Sequence, residues 1–125
     1  MQQIRPEGGP KPGGAYVSGI RAGDLVFVSG QGPHDPQTGE LVAKDIEGQV
    51  RATLANVERV LAAADATLQD VVRIDAYLAD LADFPAYDSV FRDAFAGHLP
   101  TRTTVQAGLA GILVESNAIA VTGEG

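Results

Sequence analysis

The sequence contains no cysteine. It therefore has neither a disulfide frame nor a thiolate nucleophile, and thiol usage gives no clue to its compartment. Histidine is scarce: His34 and His98 are the only two, and their spacing is not that of a metal site. No apolar run reaches the roughly 18 residues of a membrane span. The start, Met1 to Pro6, lacks the apolar stretch of a signal peptide, so the expectation is a cytoplasmic protein without membrane contact. Basic residues are in the minority, 9 Lys and Arg against 16 Asp and Glu, for a net charge of −7. That balance speaks against nucleic acid as a partner, since binding it needs a basic surface. An acidic chain that binds an anion must do so at a local positive site, which gives each arginine weight.

Common catalytic signatures are missing too. Ser29 lies in Phe27-Val28-Ser29-Gly30-Gln31, which is not the G-x-S-x-G elbow of a hydrolase. There is no G-x-x-x-x-G-K phosphate loop. Gly30-Gln31-Gly32 begins like a dinucleotide turn but has no third glycine, and no helix opens there.

What remains is one domain, residues 1–125, with 45% hydrophobic residues to build a core. Residues 1–14 read as an irregular lead-in, rich in Pro and Gly from Arg5 to Gly14. Tyr16 to Ile20 reads as a short strand, Arg21 to Asp24 as a turn, and Leu25 to Ser29 as an apolar strand, together a hairpin. Gly30 to Glu40 is a long loop of turn formers, of the kind that is usually functional or disordered. Asp45 to Ala64 reads as a helix capped by Asp45, with Ile46, Val50, Leu54, Val57 and Leu61 as its buried stripe. Val71 to Leu78 is a strand with Val72, Ile74 and Ala76 on one face. Asp83 is placed to cap a second helix, Phe84 to Ala96, with a stripe of Phe84, Tyr87, Phe91, Ala94 and Phe95. A strand from Thr101 to Val105, a turn at Gly108 to Gly111 and a strand from Leu113 to Val121 complete the order β-β-α-β-α-β-β. This is an α+β fold with a mixed sheet and both helices on one face. The chain has no third helix for the other face, which points to oligomerisation.

Two strands carry chemistry-bearing residues. In Leu99-Pro100-Thr101-Arg102-Thr103-Thr104-Val105, alternation puts Arg102 and Thr104 on one face. An arginine fixed near a strand start is a planar fork suited to grip a carboxylate. Its plain alternative is a surface arginine. In the last strand, Glu115 and Asn117 share a face. On a solvated strand such a pair is ordinary surface chemistry; with the small, apolar residues around it, the alternative is that the pair lines a pocket.

Four stretches together resemble the Rid family, the reactive intermediate deaminases, also called YjgF/L-PSP. They are Gly14 to Gly19 (GAYVSG), Leu25 to Gln31 (LVFVSGQ), Pro100 to Val105 (PTRTTV) and Val114 to Val121 (VESNAIAV). The loop Asp35 to Glu40 and the helix segment Gln49 to Val57 are similar to its pattern as well. The resemblance implies a chorismate-mutase-like fold assembled as a homotrimer around a central β-barrel, with ligand clefts between subunits. It implies cofactor-free, metal-free hydrolysis of small enamine and imine carboxylates, of the 2-aminoacrylate and 2-iminopropionate type, to 2-keto acids and ammonia. Arg102 matches the arginine that binds the substrate carboxylate. Tyr16 and Ser29 match residues lining the cleft, and Gly30 one whose backbone approaches the ligand. Thr104 stands where the best-known branch often has cysteine.

Two positions depart from the deaminase pattern. Asp88 stands where Asn is usual, and Asn117 where a Glu is thought to activate the attacking water. An amide can position a water but takes no proton at neutral pH. Glu115, on the same strand face, is then the substitute base. One alternative is a non-catalytic trimer that binds small carboxylate metabolites at the same place; another is a pathway-specific deaminase with its own base, acting on a divergent substrate such as a longer or ring-derived amino acid.

Overall fold

The computed structural model describes residues 1–9 and 11–123. Its elements are β1 (Gln2–Ile4), β2 (Gly19–Ala22), β3 (Leu25–Gln31), α1 (Ile46–Ala62), β4 (Val71–Leu78), α2 (Phe84–Ala94), β5 (Thr101–Gln106) and β6 (Val114–Val121). The strands form one mixed sheet in the order β1-β2-β3-β6-β4-β5, antiparallel except for β4 and β5. Strand β6 pairs antiparallel with both β3 and β4, so those two run parallel to each other. Parallel strands need long connections, and α1 and α2 supply them. Both crossovers step across the sheet in the same direction. Crossovers of the usual right hand then put both helices on the same face. The α+β reading and the one-sided helices are observed, and the physical reason is this repeated handedness.

The core lies between that face and the helices. Val50, Leu54, Val57 and Leu61 of α1 are buried against Val26, Val28, Ile74, Leu78, Val114, Ala118 and Ala120 of the sheet. Asp45 caps α1, its carboxylate accepting from the Gly48 N–H at 3.3 Å. Strand β6 alternates strictly. Val114, Ser116, Ala118 and Ala120 are buried on the helix side, and Glu115, Asn117, Ile119 and Val121 look the other way. Helix α1 also buries three polar side chains, Gln49, Thr53 and Asn56. Two of them pin the segment after β3. The Asn56 amide donates to the carbonyls of Gly32 (2.9 Å) and His34 (2.8 Å). The Gln49 amide donates to the Ala43 carbonyl (3.1 Å), and its oxygen accepts from the Leu113 N–H (2.8 Å). The long loop is ordered because the helix satisfies its backbone.

Several sequence expectations are corrected. Gln2–Ile4, read as part of an irregular lead-in over residues 1–14, forms the edge strand β1, and Ile4 is buried over Gly19 beside Val60. A three-residue strand held by such tertiary contact leaves no periodic signal. Pro10, within the same lead-in, lies outside the described residues. Tyr16 to Ser18 bend rather than pair, and the hairpin strand begins at Gly19. There Ser29 replaces ladder bonding, its hydroxyl donating to the Val17 carbonyl (2.6 Å) and its N–H to that of Ser18 (2.9 Å). Val72 does not share a face with Ile74 and Ala76. A bulge between Val71 and Arg73 buries Val71 and turns Val72 outward. Asp83 makes no side-chain cap to α2. Asp80 instead caps a single 3-10 turn, Leu81–Asp83, that leads into the helix. Helix α2 ends at Ala94, and Phe84 at its start is exposed.

Asn56→Ala removes the donor from two carbonyls at once. An unmade hydrogen bond to a buried group costs about 1–3 kcal/mol. The variant is expected to lose roughly 2–4 kcal/mol on that scale, read as a lower urea midpoint at unchanged slope. The Asp35 and Val42 amides, which close the loop, lose protection in hydrogen exchange.

Candidate functional site

Arg102 lies on β5 beside Ile74 of β4, so its side chain rises on the helix-covered face. There it meets α2. Phe84, Tyr87, Asp88 and Phe91 fall at i, i+3, i+4 and i+7 and line one flank of the helix. The guanidinium carbon lies 5.4 Å from the ring centre of Phe84, 5.2 Å from that of Tyr87 and 4.6 Å from that of Phe91. Each such contact is worth about 0.5–2 kcal/mol, more as water is excluded. Arg102 Nη2 donates to Asp88 Oδ1 at 2.8 Å, and no other acceptor among the described residues takes a well-formed hydrogen bond from it. Arg92 Nη2, mostly in solvent, reaches the other oxygen of Asp88 at 3.3 Å. The bond from Arg102 holds the Asp88 carboxyl below its usual range, against a smaller opposing effect of burial. Burial pushes the Tyr87 phenol up, with the Arg102 charge opposing it, so that hydroxyl stays protonated. Arg102 and Asp88 line a cleft of about 270 Å³ with Phe91, Arg92, Leu99 and Pro100. Thr104 shares the face of Arg102, next to Ala76.

A second cleft, of about 460 Å³, opens beside the end of β3. Tyr16, Gly30 and Glu115 all line it, together with Lys11 and His34. A side-chain carbon on Gly30 would fall 2.5 Å from Glu115 Oε2, so glycine is what lets the carboxylate lie over the backbone. The Tyr16 hydroxyl accepts from the Gly13 N–H at 3.0 Å, tying the lead-in to the cleft. Ser29 is near Tyr16, but its hydroxyl is engaged with the Val17 carbonyl. Asn117 lies opposite Asp75 on the uncovered face, and its Oδ1 accepts from the Asp75 N–H at 3.3 Å. Among the described residues, no cluster of His, Asp or Glu is arranged to hold a metal ion. None of their helices is long and apolar enough to cross a membrane.

The structure thus brings Tyr16, Gly30 and Glu115 together, and pairs Arg102 with Asp88. Within one chain it does not bring the two sets together. Arg102 lies on the helix side of the sheet, while Glu115 and Asn117 are on the other. The aromatic box around Arg102 escaped the sequence reading, which took Phe84, Tyr87 and Phe91 for core alone. Asp88 was the available signal, because a carboxylate on the flank of an apolar stripe implies a cation across from it. Lys11 and His34 carried no comparable signal.

Known proteins share this fold and family. A family model described as endoribonuclease L-PSP matches residues 7–122. A RutC family protein of Pyrococcus horikoshii is 40% identical over 119 residues, 94% of each chain. TdcF of Escherichia coli, named as a candidate reactive intermediate deaminase, is 38% identical over 106 residues, 82% of this chain and 81% of its own. The crystal structure of E. coli TdcF with bound serine superposes with a TM-score of 0.92 at 34% identity, over 98% of this chain and 100% of the other.

The lowered Asp88 pKa gives a stability test. Its ion pair stabilises the fold above the unfolded carboxyl value, about 3.9, and that contribution is lost as pH falls through the lower folded value. Asp88→Asn is therefore expected to flatten the acid limb of the stability profile below about pH 4, read by urea melts between neutral and acid pH.

Proposed function

The chain belongs to the reactive intermediate deaminase (Rid, YjgF/L-PSP) family, and from that premise we propose that it hydrolyses small imine and enamine carboxylates to 2-keto acids and ammonia. The observation that carries the reading is Arg102. It is a half-buried guanidinium, fixed by Asp88 and three rings, facing a cleft of substrate size. Such a fork holds a carboxylate by two parallel bonds and presents the adjacent C=N carbon to water.

The chemistry needs little more. Water adds to the C=N carbon and gives up one proton, forming a carbinolamine. That proton passes to the carbinolamine nitrogen, the C–N bond breaks with its electron pair so that ammonia leaves, and the hydroxyl gives up its proton to become the keto oxygen. No oxidant, metal or organic cofactor enters the balance. An enamine substrate first takes a proton on carbon to become the imine. In this reading Glu115 is the base that relieves the water of its proton. Asn117, its oxygen turned to the Asp75 N–H, offers its amide hydrogens to hold that water. Tyr16, Ser29 and Gly30 shape the pocket, and Thr104 borders the Arg102 side.

Because the sheet separates Arg102 from Glu115 in one chain, a complete site draws on two. The uncovered face carries Leu25, Phe27, Val72 and Val105, each about 40% exposed, as a surface for neighbours. A homotrimer with three such faces around a central barrel buries them and joins the two half-sites. One observation favours a second reading, a non-catalytic binder of carboxylate metabolites: Asn117 brings no titrating group to the strand.

The test is ammonia release from imines generated in situ by an amino-acid oxidase, with sedimentation equilibrium to establish the trimer. Arg102→Lys is expected to raise KM for the imine and weaken 2-keto acid binding by about 2–4 kcal/mol, as for a desolvated pair with one partner impaired. Glu115→Gln is expected to lower kcat by about 10²–10⁴-fold, the usual worth of a general base. A trimer that binds 2-keto acids through Arg102 yet releases no ammonia above background favours the binder.

A further inference from the structure

We propose that Asp88 makes the Arg102 cleft a reader of zwitterions, selecting ligands that offer a carboxylate to Arg102 and a protonated nitrogen to Asp88. The proposal rests on the reading above, in which Arg102 takes the ligand's carboxylate, and adds the group that meets the nitrogen.

The geometry carries it. Asp88 Oδ1 lies 2.8 Å from Arg102 Nη2, so a positive and a negative group stand side by side. Both line the same cleft, and both reach solvent there, at 18% side-chain exposure for Arg102 and 29% for Asp88. A carboxylate has about four acceptor positions. Here Oδ1 uses one on Arg102, and Oδ2 uses one on Arg92. The remaining positions are open to a donor from the ligand. Arg102 likewise keeps donors for a carboxylate.

Charge then decides what fits. The Arg102 charge is already met by Asp88, so a plain anion that docks on the guanidinium also docks beside a carboxylate. That juxtaposition of like charges is unfavourable. Arg92 offsets it weakly, being two-thirds exposed and screened by solvent. Tyr87 contributes no charge, since its phenol is buried and protonated. A ligand with C=NH2⁺ or NH3⁺ next to its carboxylate turns the repulsion into a second attraction. With Asn in place of Asp88, the repulsion and the added attraction would both vanish.

The consequence for the reaction is directional. A 2-iminium acid is a zwitterion, and its product, a 2-keto acid, is a plain anion. Hydrolysis removes the charge that Asp88 holds, so the pair favours entry of the substrate and exit of the product. Saturated α-amino acids keep both charges and have no C=N bond to hydrolyse, so they bind as competitive inhibitors.

The test compares L-alanine with pyruvate, which differ at the group facing Asp88, by calorimetric titration of the full-length chain at neutral pH. Wild type is expected to bind L-alanine at least tenfold more tightly than pyruvate. In Asp88→Asn the order reverses: pyruvate binds at least tenfold more tightly than it does to wild type, and L-alanine more weakly. Propionate follows pyruvate. If folding of Asp88→Asn is impaired, the wild-type order of L-alanine, pyruvate and propionate decides alone. Equal or tighter binding of pyruvate by wild type, lost in Arg102→Lys, overturns the zwitterion proposal and leaves the carboxylate anchor standing. Binding of all three acids that is unchanged in Arg102→Lys, or no binding at all, overturns the anchor and this proposal with it.

Discussion

Two crossovers of the same hand put both helices on one side of a six-stranded sheet, and the position of each candidate functional group follows from that asymmetry. The covered side is largely buried, so a charge placed there needs a partner. Arg102 is met by Asp88 and by three aromatic rings. On the uncovered side strand β6 displays polar groups, Asn117 with one bond to the Asp75 N–H. Glu115 and Asn117 are there because the strand alternates, and Ser116 between them is small because α1 packs close on the opposite side.

The Arg102–Asp88 pair contributes little net stability when set against an apolar pair of similar size, because desolvation offsets much of the attraction. Its value is positional. A long flexible side chain is held at a fixed place on a β-strand, with its rotamer set before any ligand arrives. The loop that shapes the second cleft is fixed by similar means. Asn56 and Gln49, buried on a helix, take up loop carbonyls that would otherwise need water. In both clefts the polar groups inside the protein serve as fasteners for groups that face outward.

Much of this architecture was legible in the residues. The apolar stripe of α1 and the bounds of β4 follow from simple periodicity, and the alternation of β6 was read correctly because small and polar residues take turns there. The errors occurred where tertiary contact overrode local pattern. Ile4 is a single apolar residue in a polar start, and only its fit over Gly19 makes it part of a strand. Val72 looked like a core residue until a bulge moved it out of step. The site was half legible. Arg102 and Glu115 drew notice by residue type and position. That they lie on opposite sides of the sheet depends on strand order, which no local pattern encodes. The rings around Arg102 have the spacing of ordinary core, and only Asp88 among them broke that pattern.

Strand β6 lies in the middle of the sheet, yet it follows both of its neighbours in the chain. During synthesis β3 and β4 are therefore complete while the strand that joins them has still to emerge. Without β6 the sheet order reduces to two ladders, β1-β2-β3 and β4-β5, each with a bare edge. Such edges template pairing with other chains, and long-range pairings of this kind form slowly. Damage to the codons of that one strand would leave two halves of a sheet with nothing between them, where loss of an edge strand would leave a smaller sheet still joined.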